Sequence, residues 1–220
     1  MGKVTLYFTA GSMPSRACLL LLRTLNVDVE IKQVDLLEGE QHNESFLKIN
    51  PVGKIPVLVD DGFTLSESRA ILAYLVNSRK PGDKLYPTDA KKRAVIDQRL
   101  YYDATVVFPA LVAIVRPSLY NKVTEVSQES KNNLIKILRI LEGYLKGHNY
   151  FAGDDLTIAD FSILPNITSV VEFGFDLSKE LPNLDKWYKK MQSVPGFDEN
   201  KAGAKLLADI MTKIIGTSVF

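Results

Sequence analysis

The residues of this chain best suited to chemistry are hydroxyls and charges placed where turns lead into helices. Ser12 stands in the turn Ala10-Gly-Ser-Met-Pro14, between a short apolar strand pattern and a helix whose first position suits Pro14. A hydroxyl there can donate to an anion such as a thiolate, and free amides at the helix start add positive potential. Both favour the anion over its protonated form. The plainer role for such a serine is to cap the helix and nothing more. Ser15, inside the first turn, is the alternative hydroxyl. Glu67 and Ser68 follow Ser66, read as a helix cap, so their amides face outward at a second positive helix end suited to a carboxylate. Glu67 is also simply favourable for the helix dipole. Lys54 is a cation directly before Ile55-Pro56, and a proline inside an apolar strand needs a reason to be there.

Other chemistries are excluded. Cys18 is the single cysteine and lies one turn deeper on the apolar helix face. Disulfide exchange, which needs a cysteine pair at this turn, is therefore improbable, and an internal disulfide and a thiolate zinc cluster are ruled out. The two histidines, His42 and His148, do not suggest a metal site, and His148 falls in a loop with no expected chemical role. The 27 basic and 26 acidic residues are well mixed, so no field of one sign exists to hold nucleic acid or an anionic membrane. Apolar runs such as 17–22 are too short to span a bilayer, and the N-terminus lacks a signal-peptide pattern. A cytoplasmic, metal-free protein is expected.

The elements that must position these residues change character along the chain. Strand patterns at 3–8, 28–34, 55–59 and 63–65 alternate with helical patterns at 15–25, 44–49 and 67–78, the last two strands joined by the turn Asp60-Asp-Gly62. A parallel βαβ unit joined to an antiparallel hairpin and a final helix is a thioredoxin-like arrangement. Pro81, Gly82 and Pro87 mark a linker. Beyond it only helical periodicities remain, at 90–115, 130–146, 158–173, 184–194 and 202–215. Pro109 should kink or open the first of these, Pro117 should end it, and Thr157-Ile-Ala-Asp160 is a capping-box variant. The expected fold is an α/β thioredoxin-like N-terminal domain plus an all-α helical-bundle C-terminal domain. The divisions are 1–80, a linker at 81–88, and 89–220.

Three local motifs, correctly spaced, carry a family resemblance over essentially the whole chain: Leu6-Tyr-Phe-Thr-Ala-Gly-Ser12-Met-Pro-Ser-Arg16-Ala, Asn50-Pro-Val-Gly-Lys-Ile-Pro56-Val-Leu and Leu65-Ser-Glu67-Ser68-Arg69-Ala-Ile. With the two-part organisation and Thr157-Ile-Ala-Asp-Phe161, the chain resembles the cytosolic glutathione transferases. Its serine-type N-terminus and Asp35-Leu-Leu-Glu-Gly39-Glu stretch are most like the insect delta and epsilon classes, epsilon slightly more.

The resemblance implies conjugation of the glutathione thiolate to hydrophobic electrophiles. It allows a peroxidase or dehydrochlorinase side activity, and its alternative is a non-catalytic carrier of hydrophobic ligands on the same fold. Glutathione is the co-substrate, no cofactor is needed, and a homodimer is implied. Ser12 becomes the catalytic hydroxyl. The tripeptide site takes in Gln41, Gly53, Lys54, Ile55, Pro56, Glu67, Ser68 and Arg69. In it a cis Ile55–Pro56 bond turns the Ile55 backbone toward the cysteinyl part, Ser68 and the helix amides take the γ-glutamyl carboxylate, and Glu67 takes the α-ammonium. Lys54 is the candidate for the glycyl carboxylate, and Arg69 supports the pocket or reaches the dimer partner. The chain departs from its nearest relatives here, which typically carry His-Thr in place of Gly53-Lys54 and histidine in place of Gln41. The electrophile is expected between the domains, against Phe108, Leu111, Val112, Val115, Arg116 and Tyr120, with Leu207 and Ile210 closing the pocket.

Overall fold

The structure, a computed structural model, describes residues 3–220. Met1 and Gly2, counted in the first expected domain, lie outside the described residues. Strand β1 (Val4–Phe8) leads through the Ser12 turn into α1 (Met13–Thr24), which returns the chain to β2 (Val29–Gln33), parallel to β1. A 3₁₀ turn at Glu40–His42 and the short α2 (Glu44–Leu47) then lead to the hairpin β3 (Val57–Asp60) and β4 (Phe63–Ser66). The sheet order is β2-β1-β3-β4, and α3 (Ser68–Arg79) closes this half. The expected mixed α/β topology is the one observed.

Strand register explains where a site can form. Tyr7 pairs with Val57, and Val57 with Ser66. The C-terminal ends of β1 and β4 and the N-terminal end of β3 therefore meet at one edge, which brings the Ser12 turn, Ile55–Pro56 and Glu67 together. Buried Leu19 to Leu22 of α1, Leu58 of β3 and Ile71, Leu72 and Leu75 of α3 form the core beneath that edge.

The second half is all helical: α4 (Ala90–Tyr102), a π-helical turn (Asp103–Val107), α5 (Phe108–Asn121), α6 (Gln128–Tyr144), α7 (Ile158–Glu172), α8 (Leu177–Glu180), α9 (Pro182–Met191) and α10 (Phe197–Ile215). The π turn stands where Pro109 was expected to open the helix. Proline cannot donate, and its ring crowds the carbonyl four residues back, so widening the turn is one relief. Contrary to expectation the helix does not stop at Pro117 but continues to Asn121. Ile114, Val115 and Ser118 are buried around it, and their packing holds the turn despite one lost backbone bond. The continuous run Ala90–Asn121 is long and apolar enough to cross a membrane by length and composition. In this fold it packs on α6, α7 and α10. The short α8 has no counterpart in the sequence reading. The Thr157 capping box is present, and Asp160 also accepts from Phe151 N and Trp187 Nε1 at 3.1 and 2.9 Å.

Candidate active site

Ser12 is the N-cap of α1, half-buried, with an extended backbone (φ −81°, ψ 115°). Its Oγ accepts the Ser15 N–H at 3.3 Å and lies 3.0 Å from Ser15 Oγ. No acidic residue stands in the first turn of α1 to cancel the positive helix end. Ser15, the alternative hydroxyl, is fully buried, so a ligand cannot reach it. The cap and the chemistry do not compete: capping consumes acceptor capacity of the hydroxyl and leaves its proton.

The second corner is Gln41, His42, Gly53 and Lys54. Gly53 has φ +64°, and a Cβ added there would meet His42 Nδ1 at 3.0 Å and Gln41 O at 3.2 Å. Glycine is thus required by both backbone and space. Gln41 is buried, with Oε1 unpartnered among the described residues. Lys54 is exposed, and its backbone carbonyl accepts from Asn50 Nδ2 at 2.7 Å. Asn50 also accepts the Val52 N–H at 3.2 Å, so this buried amide shapes the loop before Ile55, a role the sequence reading missed. The Asn-Pro turn signal could have pointed to it. The Ile55–Pro56 peptide is cis, as expected, and Ile55 precedes the first β3 ladder pair.

At the third corner the expectation for Ser66 is corrected. Ser66 ends β4, and Glu67 is the N-cap of α3, with φ +69°, ψ 103° and no side-chain capping bond. A strand that runs into a helix without a loop leaves one residue to make the reversal, and Glu67 takes a sparsely populated backbone region to do it. Ser68 is buried, and its Oγ accepts from Arg69 Nη1 at 3.0 Å.

Arg69 reaches from this corner to the helical half. Its Nε and Nη2 donate to Asp103 Oδ2 at 3.0 and 2.5 Å, and the Phe108 ring lies 5.3 Å from its guanidinium carbon. Asp103 is fully buried in the π turn and also accepts from Ser162 Oγ (2.5 Å) and Asn166 Nδ2 (2.7 Å). Burial raises its pKa, while Arg69, Ser162 and Asn166 pull the other way. Asp103 was not foreseen. An acid in the apolar stretch Tyr101-Tyr-Asp-Ala-Thr-Val-Val was the available signal.

Arg16 makes a second bridge between the halves. Its guanidinium donates to Asn200 O, Asn200 Oδ1 and Ser169 Oγ at 2.9, 2.8 and 2.7 Å. Burial pulls its pKa down to about 9, which still leaves it charged at neutral pH. Gly203 of α10 packs against Ala10 O and the Arg16 side chain, where a Cβ would clash. Leu207 and Ile210 follow on the same face at i+4 and i+7.

Of the apolar wall, Phe108, Val112, Arg116 and Tyr120 run along one i+4 row of α5 that starts against Arg69 and is partly or fully exposed. Leu111, Val115 and Leu207 sit in the hydrophobic core, and Ile210 is half-buried. A hollow of about 520 Å³ between α5 and α6, and one of about 730 Å³ beside Lys3, Asn26 and Arg79, hold none of these residues.

Comparison with known proteins shows the family. Residues 2–77 match the family model for the glutathione S-transferase N-terminal domain, and residues 102–195 that for the C-terminal domain. This chain belongs to the glutathione S-transferase family. It is 39% identical over 198 residues to glutathione S-transferase D6 of Drosophila melanogaster, covering 90% of this chain and 91% of that one. An epsilon-class glutathione S-transferase structure from the housefly, Musca domestica, is 42% identical with a TM-score of 0.92, covering 96% of this transferase and 98% of that chain. A glutathione transferase homologue from Drosophila mojavensis with bound glutathione is 37% identical, TM-score 0.92, covering 97% and 98%. The transferase therefore lies among delta- and epsilon-class relatives, as its motifs suggested.

Proposed function

We propose that this enzyme conjugates the thiol of glutathione to small hydrophobic electrophiles, with Ser12 as the hydroxyl that holds the thiolate. The observation that carries the reading is the half-exposed Ser12 at the positive end of α1, whose first turn holds no acidic residue, its acceptor capacity used by Ser15 and its proton left to give. The tripeptide lies along the edge where β1, β3 and β4 meet. Its glycyl carboxylate is near Lys54 and Gln41, its cysteinyl backbone pairs with Ile55, and its γ-glutamyl end sits at Glu67 and Ser68. The electrophile rests against Phe108, Val112, Arg116 and Tyr120, with Ile210 opposite, and Arg116 orients a polar oxygen on it. Catalysis consists of stabilising an anion and bringing two substrates together. The working unit is a homodimer in the cytoplasm, with divisions near residues 80 and 89. Exposed Val52, Phe63 and Tyr101 provide apolar surface that a second copy can cover.

The deciding experiment is conjugation of an activated aryl halide by native enzyme and Ser12→Ala. Loss of a hydrogen bond to a charged sulfur is worth about 1.5–3 kcal/mol, so turnover should fall roughly 10–150-fold while the KM for glutathione changes little. Equal turnover and an unchanged pH–rate profile would reduce Ser12 to a helix cap.

A further inference from the structure

Ser12 has a second hydroxyl beside it in its turn. A hydroxyl has one proton to donate and two lone pairs. The Ser15 N–H occupies one lone pair at 3.3 Å, and Ser15 Oγ approaches the other at 3.0 Å. Ser15 is 0% exposed, and Ser12 Oγ is the one partner of its hydroxyl among the described residues. A buried hydroxyl left without a bond costs about 1–3 kcal/mol, so the pair stays bonded in one direction or the other. If Ser12 gives its proton to Ser15, it has nothing to offer a ligand. If Ser15 gives its proton to Ser12, both lone pairs of Ser12 are filled and its own O–H must point away from α1, out of the turn. An anion placed there selects the second direction. An oxygen that accepts a hydrogen bond also becomes a stronger donor through its own O–H, because successive bonds polarise one another.

We propose that Ser15 is a positioning residue for the conjugation reaction: its buried hydroxyl donates to Ser12 Oγ, aims the Ser12 proton at the glutathione sulfur, and strengthens that bond. This rests on the Ser12 reading above and adds a two-hydroxyl relay, Ser15 to Ser12 to sulfur. No proton leaves any of the three groups in the relay; it orients donors and lowers the energy of the bound thiolate.

The test is the ionisation of enzyme-bound glutathione, read from thiolate ultraviolet absorbance against pH and from the acid limb of the kcat/KM profile. In Ser15→Ala, with Ser12 intact, the midpoint should move up by about half to one pH unit, so the thiolate fraction on the acid side falls about three- to tenfold. The KM for glutathione and the thermal midpoint should stay near native. Ser15→Cys keeps a γ atom, a larger one, with a far weaker donor and should follow Ser15→Ala. If Ser15→Cys instead keeps the native midpoint, side-chain volume is what matters and the relay is wrong. A native midpoint in Ser15→Ala would overturn it equally. In the Ser12→Ala background Ser15→Ala should add no further shift; an undiminished shift there would show that Ser15 does not act through Ser12. A native midpoint in Ser12→Ala alone would remove the Ser12 reading itself, an outcome distinct from failure of the relay.

Discussion

Asp103→Asn is the most informative perturbation of the contact between the two halves. The native carboxylate accepts from Arg69 Nε and Nη2, Ser162 Oγ and Asn166 Nδ2, all between 2.5 and 3.0 Å, with no exposure to solvent. Asparagine keeps the shape but removes the charge and turns an amide NH₂ toward groups that are already donors. Arg69 has only 16% side-chain exposure, so its guanidinium cannot recover full hydration in place. Breaking a buried pair from one side costs about 3–5 kcal/mol, and the residual exposure of Arg69 puts the expectation near the lower end, about 3 kcal/mol. Urea unfolding followed by fluorescence of Trp187, the single tryptophan, measures it, with an expected midpoint drop of about 1–2 M. The KM for glutathione should rise in the same variant, because Arg69 also holds Ser68 Oγ. Ser162→Ala removes one of the four donors and should cost only about 1 kcal/mol. A loss below 1 kcal/mol for Asp103→Asn, with native KM, would refute the view that this pair locks the halves together.

Two further outcomes are expected. Lys54→Ala should weaken glutathione binding about fivefold or more, chiefly in KM and less so at high salt, and overlaid titrations at low salt would assign the glycyl end to another group. Burial pushes the Cys18 thiol pKa up, so above the ordinary thiol range the folded state keeps a proton that the unfolded chain has lost. Stability should therefore fall as pH rises there, by up to about 1.4 kcal/mol per unit, and denaturation of Cys18→Ala at pH 8 and 10 should show a shallower slope than native.

Much of the fold was legible because its signals are local. Short alternating runs marked the four strands, Pro81, Gly82 and Pro87 marked the break between α3 and α4, and Thr157 with Asp160 marked a helix start. The errors arose where tertiary contacts override local preference. Pro117 reads as a stop, yet buried neighbours carry the helix past it. Ser66 is a better cap than Glu67 by propensity, but the pairing of Ser66 with Val57 keeps it in the sheet and passes the cap to the next residue. The candidate site divides in the same way. Ser12 stands in a turn with recognisable chemistry, and Pro56, read as a proline inside a strand, lies just ahead of β3 instead. Asp103 and Arg16 act across 34 and 184 residues of sequence separation, which no local pattern encodes.

Those two long-range contacts bear on how the site works. In the proposed function glutathione lies on the sheet edge of the first half and the electrophile on the apolar row of α5 in the second, so the distance between sulfur and electrophile would depend on how firmly the halves are joined. Arg16 starts four residues after Ser12 and ends on α7 and α10. Arg69 starts one residue after Ser68 and ends on the π turn that immediately precedes Phe108. Each guanidinium thus ties a corner of the candidate site to the helical half through geometrically restrictive bonds. A planar fork with several donors fixes orientation as well as distance, whereas an ammonium would fix distance alone. Proximity contributes to rate only if the reacting atoms are held near contact, and displacements of about 1 Å can cost two orders of magnitude. Replacing either arginine by lysine should accordingly lower turnover through misalignment even where charge and glutathione binding persist.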